Sequence, residues 1–109
     1  MNIRNWIHVE DNCRAIFKII ESGKSGEIYN IGGDTEISNI DLVRRISILM
    51  GKGDDTVEFV KDRQGHDFRY AVDDSKLKTD TNFNCNIDFI SGIQETIEWY
   101  TSNPKYINT

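Results

Sequence analysis

Short strand-like segments alternate with longer helical ones, and this alternation is the strongest constraint on how the 109-residue chain folds. Strands are predicted at 5–9, 27–31 and 56–60, where aromatic and β-branched residues concentrate. Helices are predicted at 10–23, 38–50, 73–77 and 89–100. The order predicts one domain over residues 1–109, of α/β class or a small α+β piece. Three short strands make a thin sheet, so part of the fold is expected to be missing.

The spacing of apolar residues and the presence of capping residues predict where the helices lie and where they begin. The first helix carries one apolar face, made of Cys13, Ile16, Phe17 and Ile20. Glu10 or Asp11 is expected to cap its start, where acidic groups suit the helix dipole. Ser38, followed three residues later by Asp41, predicts a capped start for the second helix. Asp73 or Asp74 is expected to cap a short helix, and Pro104 to limit the last one.

Composition excludes several classes of protein. The net charge of −5 argues against a nucleic-acid partner, although a local cationic pocket for a small anion is compatible with it. Cys13 and Cys85 lack any CxxC or Cys/His spacing, which predicts a reduced, cytoplasmic protein. No apolar run approaches the roughly 20 residues of a membrane span, so no membrane association is expected.

The common catalytic and cofactor motifs are absent from the sequence. There is no GxGxxG after a strand, since Gly23 and Gly26 lack a third glycine and precede the predicted second strand. There is likewise no P-loop, no HExxH, no GxSxG and no tyrosine followed four residues later by lysine. No catalytic group, metal site or cofactor site is therefore predicted within this chain.

Four side chains remain as candidate anion-binding and hydrogen-bonding groups: Arg4, Asn39, Arg63 and His66. The last two lie in the stretch "VKDRQGHDFRYAVDD", which concentrates basic residues within an acidic chain. Arginine suits phosphate because its planar fork donates two charge-assisted hydrogen bonds, and asparagine offers both a donor and an acceptor. Considered one at a time, each also has a plain structural explanation: a solvated charge, a turn histidine or a helix cap.

Several segments taken together resemble a known family. "RNWIHVEDNCRAI", "GEIYNIGGDTEISNIDLV", "VKDRQGHDFRYAVDDSKL" and "GIQETIEWY" resemble, in order and spacing, the C-terminal part of the dTDP-glucose 4,6-dehydratases, which are extended short-chain dehydrogenase/reductases. The most specific element is D-R-x-G-H-D-x-R-Y. The resemblance implies a substrate-binding part that lacks the Rossmann half, where NAD and the Tyr/Lys pair reside. It therefore implies no NAD site and no activity in this chain alone.

The same resemblance assigns roles to individual residues. Arg4 looks like the family's arginine that contacts the nucleotide diphosphate, and Asn39 matches a substrate-contacting asparagine. Arg63 and His66 match the loop that holds the nucleotide of dTDP-glucose or a related nucleotide sugar. Two departures are Gln64 for the usual proline and Asn5 for the usual aspartate, which bear on how well the loop is preorganised.

Two alternatives stay open at this point. One is a non-catalytic nucleotide-sugar-binding or interaction module, and the other is the equivalent part of a UDP-sugar epimerase or decarboxylase. Self-association is expected through the face that the Rossmann half would cover, because exposed apolar area of that kind drives association.

Overall fold

The computed structural model describes residues 2–53, 57–61 and 63–107. A three-stranded sheet and four helices make up this part of the chain, which confirms a small α+β architecture. In chain order the elements are β1 (Ile3–Trp6), α1 (Val9–Ser22), β2 (Thr35–Ser38), α2 (Asn39–Leu49), β3 (Arg69–Tyr70), α3 (Ser75–Thr81) and α4 (Phe89–Ser102). A 3₁₀ turn, Pro104–Tyr106, follows α4, as expected from Pro104.

The sheet has the order β2-β1-β3, so β1 is its central strand. β2 runs antiparallel to β1, with Ile3 opposite Ser38 and Trp6 opposite Thr35. β3 is short and runs parallel to β1, with Ile3 opposite Arg69. The consequence for function is that the start of β1 meets both the start of α2 and the segment that leads into β3.

The predicted strands are largely wrong in position, although a three-stranded sheet is present. The first begins at Ile3 and ends at Trp6, earlier than the predicted 5–9. Residues 27–31 and 57–60 form no strand, and Thr56 lies outside the described residues. A strand requires a hydrogen-bonded neighbour, and within the described chain these segments have none. The sequence reading also missed β2 and β3, both of which are shorter than the usual five or six residues.

The positions of the helices agree with their predictions better than those of the strands do. The predicted cap of α1, Glu10 or Asp11, is wrong. His8 is its N-cap, because its Nδ1 accepts a hydrogen bond of 3.0 Å from the Glu10 backbone N–H. Glu10 and Asp11 lie in the first turn instead. For α2 the prediction is confirmed, since the Ser38 hydroxyl accepts from the Asp41 backbone N–H at 3.2 Å. Local capping chemistry therefore fixes where these helices begin.

Aspartates also start α3 and α4. Asp74 is the N-cap of α3 without a side-chain cap bond, whereas Asp73 accepts from the backbone N–H of Ser75 at 3.0 Å. The prediction that Asp73 or Asp74 caps this helix is confirmed, with Asp74 at the N-cap position and Asp73 accepting the hydrogen bond. At α4 the carboxylate of Asp88 accepts from the Ser91 N–H at 3.2 Å.

The core is small and lies between α1 and α3. Ala15, Leu77 and Phe83 are almost fully buried, and the partly buried Tyr29 and Ile31 pack against them. α1 turns Ala15 and Ile19 toward this core, while its predicted apolar face of Cys13, Ile16, Phe17 and Ile20 is exposed. The periodicity is therefore correct, but this face does not meet the core.

Two side chains, one on α1 and one on β1, hold neighbouring loops by hydrogen bonds to the loop backbone. The buried carboxylate of Asp11 accepts from the backbone N–H groups of Asn86 and Ile87, each at 3.1 Å. The side-chain amide of Asn5 donates to the carbonyl of Gly33 at 2.6 Å and accepts from its N–H at 3.0 Å. These side chains thus provide hydrogen-bond partners for loop backbone groups that lie outside any strand or helix.

The longest helices have 14 residues. Within the described ranges, none reaches the length and apolar character that a bilayer crossing requires.

Candidate functional site

The basic loop after residue 60 turns at Gly65. The backbone N–H of His66 donates to the carbonyl of Arg63 at 3.4 Å, which closes a four-residue turn. Gly65 has a φ of 73°, a left-handed conformation that favours glycine at this position. Gln64 occupies the turn position where proline would fix φ, so the backbone here is less preorganised than with the family's proline.

Asn2 joins two of the predicted site residues at the start of β1. Its backbone carbonyl accepts a hydrogen bond of 2.7 Å from the backbone N–H of Asn39. Its side-chain amide nitrogen lies 3.2 Å from Nδ1 of His66. This contact joins the start of β1 to the basic loop.

Arg4 holds the basic loop against β1. Its Nη1 donates to the Ile3 carbonyl at 2.8 Å, and its Nη2 donates to the backbone carbonyl of Asp67 at 3.0 Å. The backbone N–H of Ile3 also donates to the Phe68 carbonyl at 2.7 Å. A guanidinium has five N–H donors, so these two contacts leave others for a further acceptor.

Asn39 carries the one buried side-chain acceptor without a hydrogen-bond partner in the described part of the chain. This atom is Oδ1, and the residue is the first of α2, directly after the Ser38 cap. A buried carbonyl oxygen with no partner costs stability, so the atom calls for an explanation such as a ligand donor. The start of α2 also carries the positive end of the helix dipole, which favours a nearby anion.

The structure therefore brings together Arg4, Asn39 and His66, three of the four predicted residues. Arg63 lies on the same turn as His66 and is exposed. Asn2, which links the group, was missed by the sequence reading. A polar side chain just before a strand carries no distinguishing local signal, because its role depends on a contact 64 residues away.

Arg69 is a second basic residue beside this group, and it is paired within the chain. Its guanidinium contacts the carboxylate of Glu36. Arg69 lies on β3 and Glu36 on β2, so this contact reaches across β1, the strand between them. The hydrogen bond that Arg69 donates to Glu36, together with the negative charge of Glu36, raises the pKa of Arg69 above its ordinary value. Of the two arginines in the D-R-x-G-H-D-x-R-Y block, Arg69 is therefore occupied structurally.

An apolar cavity of about 220 Å³ lies elsewhere, between the sheet, α2 and α4. Its walls include Trp6, Leu42, Ile46, Ile93 and Ile97. None of the four predicted site residues lines it, so it is distinct from the group at the start of β1.

Neither a metal nor a dinucleotide fits the groups that the structure describes. Among residues 2–53, 57–61 and 63–107, no cluster of three or more His, Cys, Asp or Glu side chains is placed to hold a metal ion. Gly23 ends α1, and Gly26, with a φ of 81°, follows it in a turn. These glycines do not connect a strand to the start of a helix, which is the geometry that binds the pyrophosphate of NAD.

Comparison with known proteins points to one family. A family model described as GDP-mannose 4,6 dehydratase matches residues 1–96. The dTDP-glucose 4,6-dehydratase of Streptomyces niveus is 46% identical over 102 residues, which cover 94% of this chain and 30% of the relative. The dTDP-glucose 4,6-dehydratase 1 of Escherichia coli K12 is 41% identical over 113 residues, which cover 97% and 31%.

Solved structures agree. A dTDP-glucose 4,6-dehydratase from Bacillus anthracis, in complex with NAD, superposes with a TM-score of 0.88 at 40% identity, covering 97% of this chain and 33% of that chain. One from Streptomyces venezuelae, with NAD and a second ligand bound, gives 0.90 at 35% identity, covering 96% and 33%. A UDP-glucuronic acid 4-epimerase from Bacillus cereus gives 0.84 at 23% identity and shares the fold. The chain thus spans about a third of the length of its relatives.

Proposed function

Because the chain belongs to the GDP-mannose 4,6-dehydratase family, we propose that it forms the nucleotide-sugar-binding C-terminal part of a dTDP-glucose 4,6-dehydratase. Relatives that share 46% and 41% identity carry that enzyme name. The proposed role of this third of the enzyme is to bind and orient the substrate, while the unmatched part of the relatives supplies the chemistry.

The observation that carries the proposal is the junction at the start of β1. Asn2 contacts both Asn39 and His66, while Arg4 donates to the carbonyl of Asp67 in the loop that carries Arg63. Three elements distant in sequence thus converge on one cationic and donor-rich group within a chain of net charge −5. Such local convergence supports an anionic ligand more strongly than any single residue does.

Each side chain then has a chemical role. Arg63, exposed on the turn, donates its planar fork to the two linked phosphates, and the imidazole of His66 lies on the same turn. Arg4, which holds the loop through the carbonyl of Asp67, adds a positive charge beside it. Oδ1 of Asn39 accepts from a hydroxyl or N–H of the ligand, which would satisfy the acceptor that has no partner in the chain.

Titration with nucleotides tests the binding claim. Calorimetry with dTDP, UDP and GDP is expected to show weak, salt-sensitive binding, with dTDP preferred. Arg63→Ala should weaken it at least about tenfold, because one charged hydrogen-bonded contact contributes roughly 1.5–3 kcal/mol. Lys18→Ala removes the same charge from an exposed position on α1 and serves as the control. Equal effects of both substitutions, or no binding of any nucleotide, would contradict the proposal.

The chain alone is proposed to be inactive. Its glycines do not fit a dinucleotide, and the sequence lacks a tyrosine followed four residues later by lysine. Incubation with dTDP-glucose and NAD is expected to yield no 4-keto product, and turnover by a pure preparation would refute this part. A non-catalytic binding module is the alternative, and it predicts the same nucleotide titration. The two separate when the N-terminal part of the Escherichia coli relative is added, since only an enzyme part would restore dehydration.

Three further properties belong to this proposal: a single domain over residues 1–109, a cytoplasmic location and self-association through exposed apolar surface. The first predicts one cooperative unfolding transition seen alike by circular dichroism and tryptophan fluorescence. Two separate transitions would contradict it.

A further inference from the structure

Asn2, the residue before β1, contacts two segments that are distant from it in sequence. Its backbone carbonyl accepts a hydrogen bond of 2.7 Å from the N–H of Asn39, the first residue of α2. Its side-chain amide nitrogen lies 3.2 Å from Nδ1 of His66, and both residues are half-buried. One residue thus contacts two members of the proposed nucleotide-binding group, and it does so through different atoms.

The basic loop meets the rest of the chain at His66. Two backbone carbonyls that follow it, those of Asp67 and Phe68, accept hydrogen bonds from β1. The contact with Asn2 lies one residue nearer to the turn and joins two side chains. His66 is half-buried, whereas the other residues of the range 63–70 are exposed. His66 is therefore the side chain of this range that is most protected from solvent, and Asn2 is one of its partners.

The turn that carries Arg63 is only weakly fixed by its own backbone. Its closing hydrogen bond, from the N–H of His66 to the carbonyl of Arg63, is 3.4 Å long, which exceeds the usual range for such bonds. Gly65 has a φ of 73°, and residue 64 is a glutamine, so no proline restricts the turn. The orientation of Arg63 therefore depends on contacts that the turn makes with the rest of the chain.

We infer that Asn2 is a positioning residue of the nucleotide site, an inference that rests on the proposed function. Its side chain holds the ring of His66, and thereby the turn that carries Arg63. Its backbone carbonyl holds the start of α2, which carries Asn39. One residue that does not itself bind the nucleotide thus sets the position of the loop relative to α2. Asparagine suits this role because its short amide offers a donor and an acceptor, so it pairs with either tautomer of the ring.

Nuclear magnetic resonance of the free chain tests whether Asn2 holds the turn. The chain has two histidines, so the ring signals of His66 can be assigned and those of His8 serve as an internal reference. Asn2→Ala is expected to shift the ring signals of His66 and to speed hydrogen exchange of its backbone amide at least about threefold, while the signals of His8 stay in place. Asn30→Ala changes an exposed asparagine outside the site and is the matched control, which should change neither quantity.

Titration of the variants with dTDP, followed by the same signals, separates positioning from a direct ligand contact. Asn2→Ala and His66→Ala are each expected to weaken binding about fivefold, which is the effect of one neutral hydrogen bond. If Asn2 acts through His66, the double variant loses only about five- to tenfold, whereas two independent contacts would multiply to about 25-fold. Circular dichroism verifies that each variant is folded.

Three results would overturn the inference: ring signals of His66 that Asn2→Ala leaves unchanged, an affinity for dTDP that Asn2→Ala leaves unchanged, or losses that multiply in the double variant. Equal effects of Asn2→Ala and Asn30→Ala would overturn it as well. If the unaltered chain binds no nucleotide, the proposed function fails, and the ring signals and amide exchange of the free chain still decide whether Asn2 holds the turn.

Discussion

Asp11 gives the sharpest quantitative prediction, because its carboxylate is 1% exposed and each of its oxygens has an assigned donor. Oδ1 accepts from the backbone N–H of Asn86 at 3.1 Å and from Arg14 at 2.7 Å, and Oδ2 accepts from the N–H of Ile87 at 3.1 Å. Asp11→Asn keeps the shape but turns one of these oxygens into an NH₂ donor. One backbone N–H then faces another donor, whichever way the amide is oriented.

The magnitude follows from these contacts. Losing one charge-assisted hydrogen bond costs about 1.5–3 kcal/mol, and the remaining ones weaken when the charge is removed. We expect Asp11→Asn to lower the free energy of unfolding by about 2–3 kcal/mol at neutral pH, or the melting temperature by roughly 10 °C. Asp88→Asn is the matched control. Asp88 is an exposed N-cap, where asparagine caps as well as aspartate does.

The loss should also depend on pH with a defined sign. Burial acts to raise the pKa of Asp11, but the hydrogen bonds from Arg14 and from the backbone of Asn86 and Ile87 outweigh it, so the pKa lies below its ordinary value. The carboxylate's contribution is therefore complete above the unfolded pKa of about 3.9 and is lost as the pH falls through the lower folded pKa. A protonated Asp11 resembles asparagine, so the two proteins should converge in stability in acid.

Urea unfolding of both proteins, followed by circular dichroism between neutral pH and about pH 2, measures the difference in free energy. A difference below about 0.5 kcal/mol at neutral pH, or one that stays constant down to the acid end, would refute the reasoning. A loss of the same size in Asp88→Asn would show that charge alone, and not the buried contacts, is responsible.

Three further predictions concern the site and the sheet. Asn39→Ala should leave the melting temperature of the free chain unchanged or slightly raised, because it removes a buried acceptor without a partner, yet weaken dTDP binding about tenfold in calorimetry. Asn5→Asp should lower the free energy of unfolding by about 1 kcal/mol in urea titrations, because a carboxylate cannot donate to the Gly33 carbonyl 2.6 Å away. Gly33→Ala should leave little folded protein by circular dichroism, since its Cβ would lie 1.6 Å from the carbonyl oxygen of Trp6.

Local chemistry was sufficient to predict the helices. Ser38 and the apolar spacing of α1 and α4 act within a few residues of each element, so their effect can be read from the sequence. The sheet could not be predicted in the same way. β3 contains two residues and depends on pairing with Ile3 and Arg4, more than 60 positions earlier. Nothing within "RY" itself distinguishes that pairing from a loop.

The candidate site residues could be chosen from the sequence, but the contacts between them could not. Charge and side-chain chemistry selected Arg4, Asn39, Arg63 and His66, and family resemblance gave them a common role. The contact through Asn2 could not be foreseen, because it depends on the start of β1 meeting both α2 and the basic loop. The pairing of Arg69 with Glu36 across β1 also required the sheet order to be known.

Segment 27–31 and α1 also show what cannot be predicted from local sequence. The prediction of a strand at 27–31 rested on β-forming residues, and the alternation of Tyr29 and Ile31 toward the core fits that preference even though no neighbouring strand is described. In α1 the periodicity was correct, but the small Ala15 faces the core and the large Phe17 faces outward. The absent strand at 27–31 and the exposed apolar face of α1 have one physical cause. Residue propensity and apolar periodicity show which side chains favour a strand or a buried helix face, but a strand or a buried face forms only where another element packs against it.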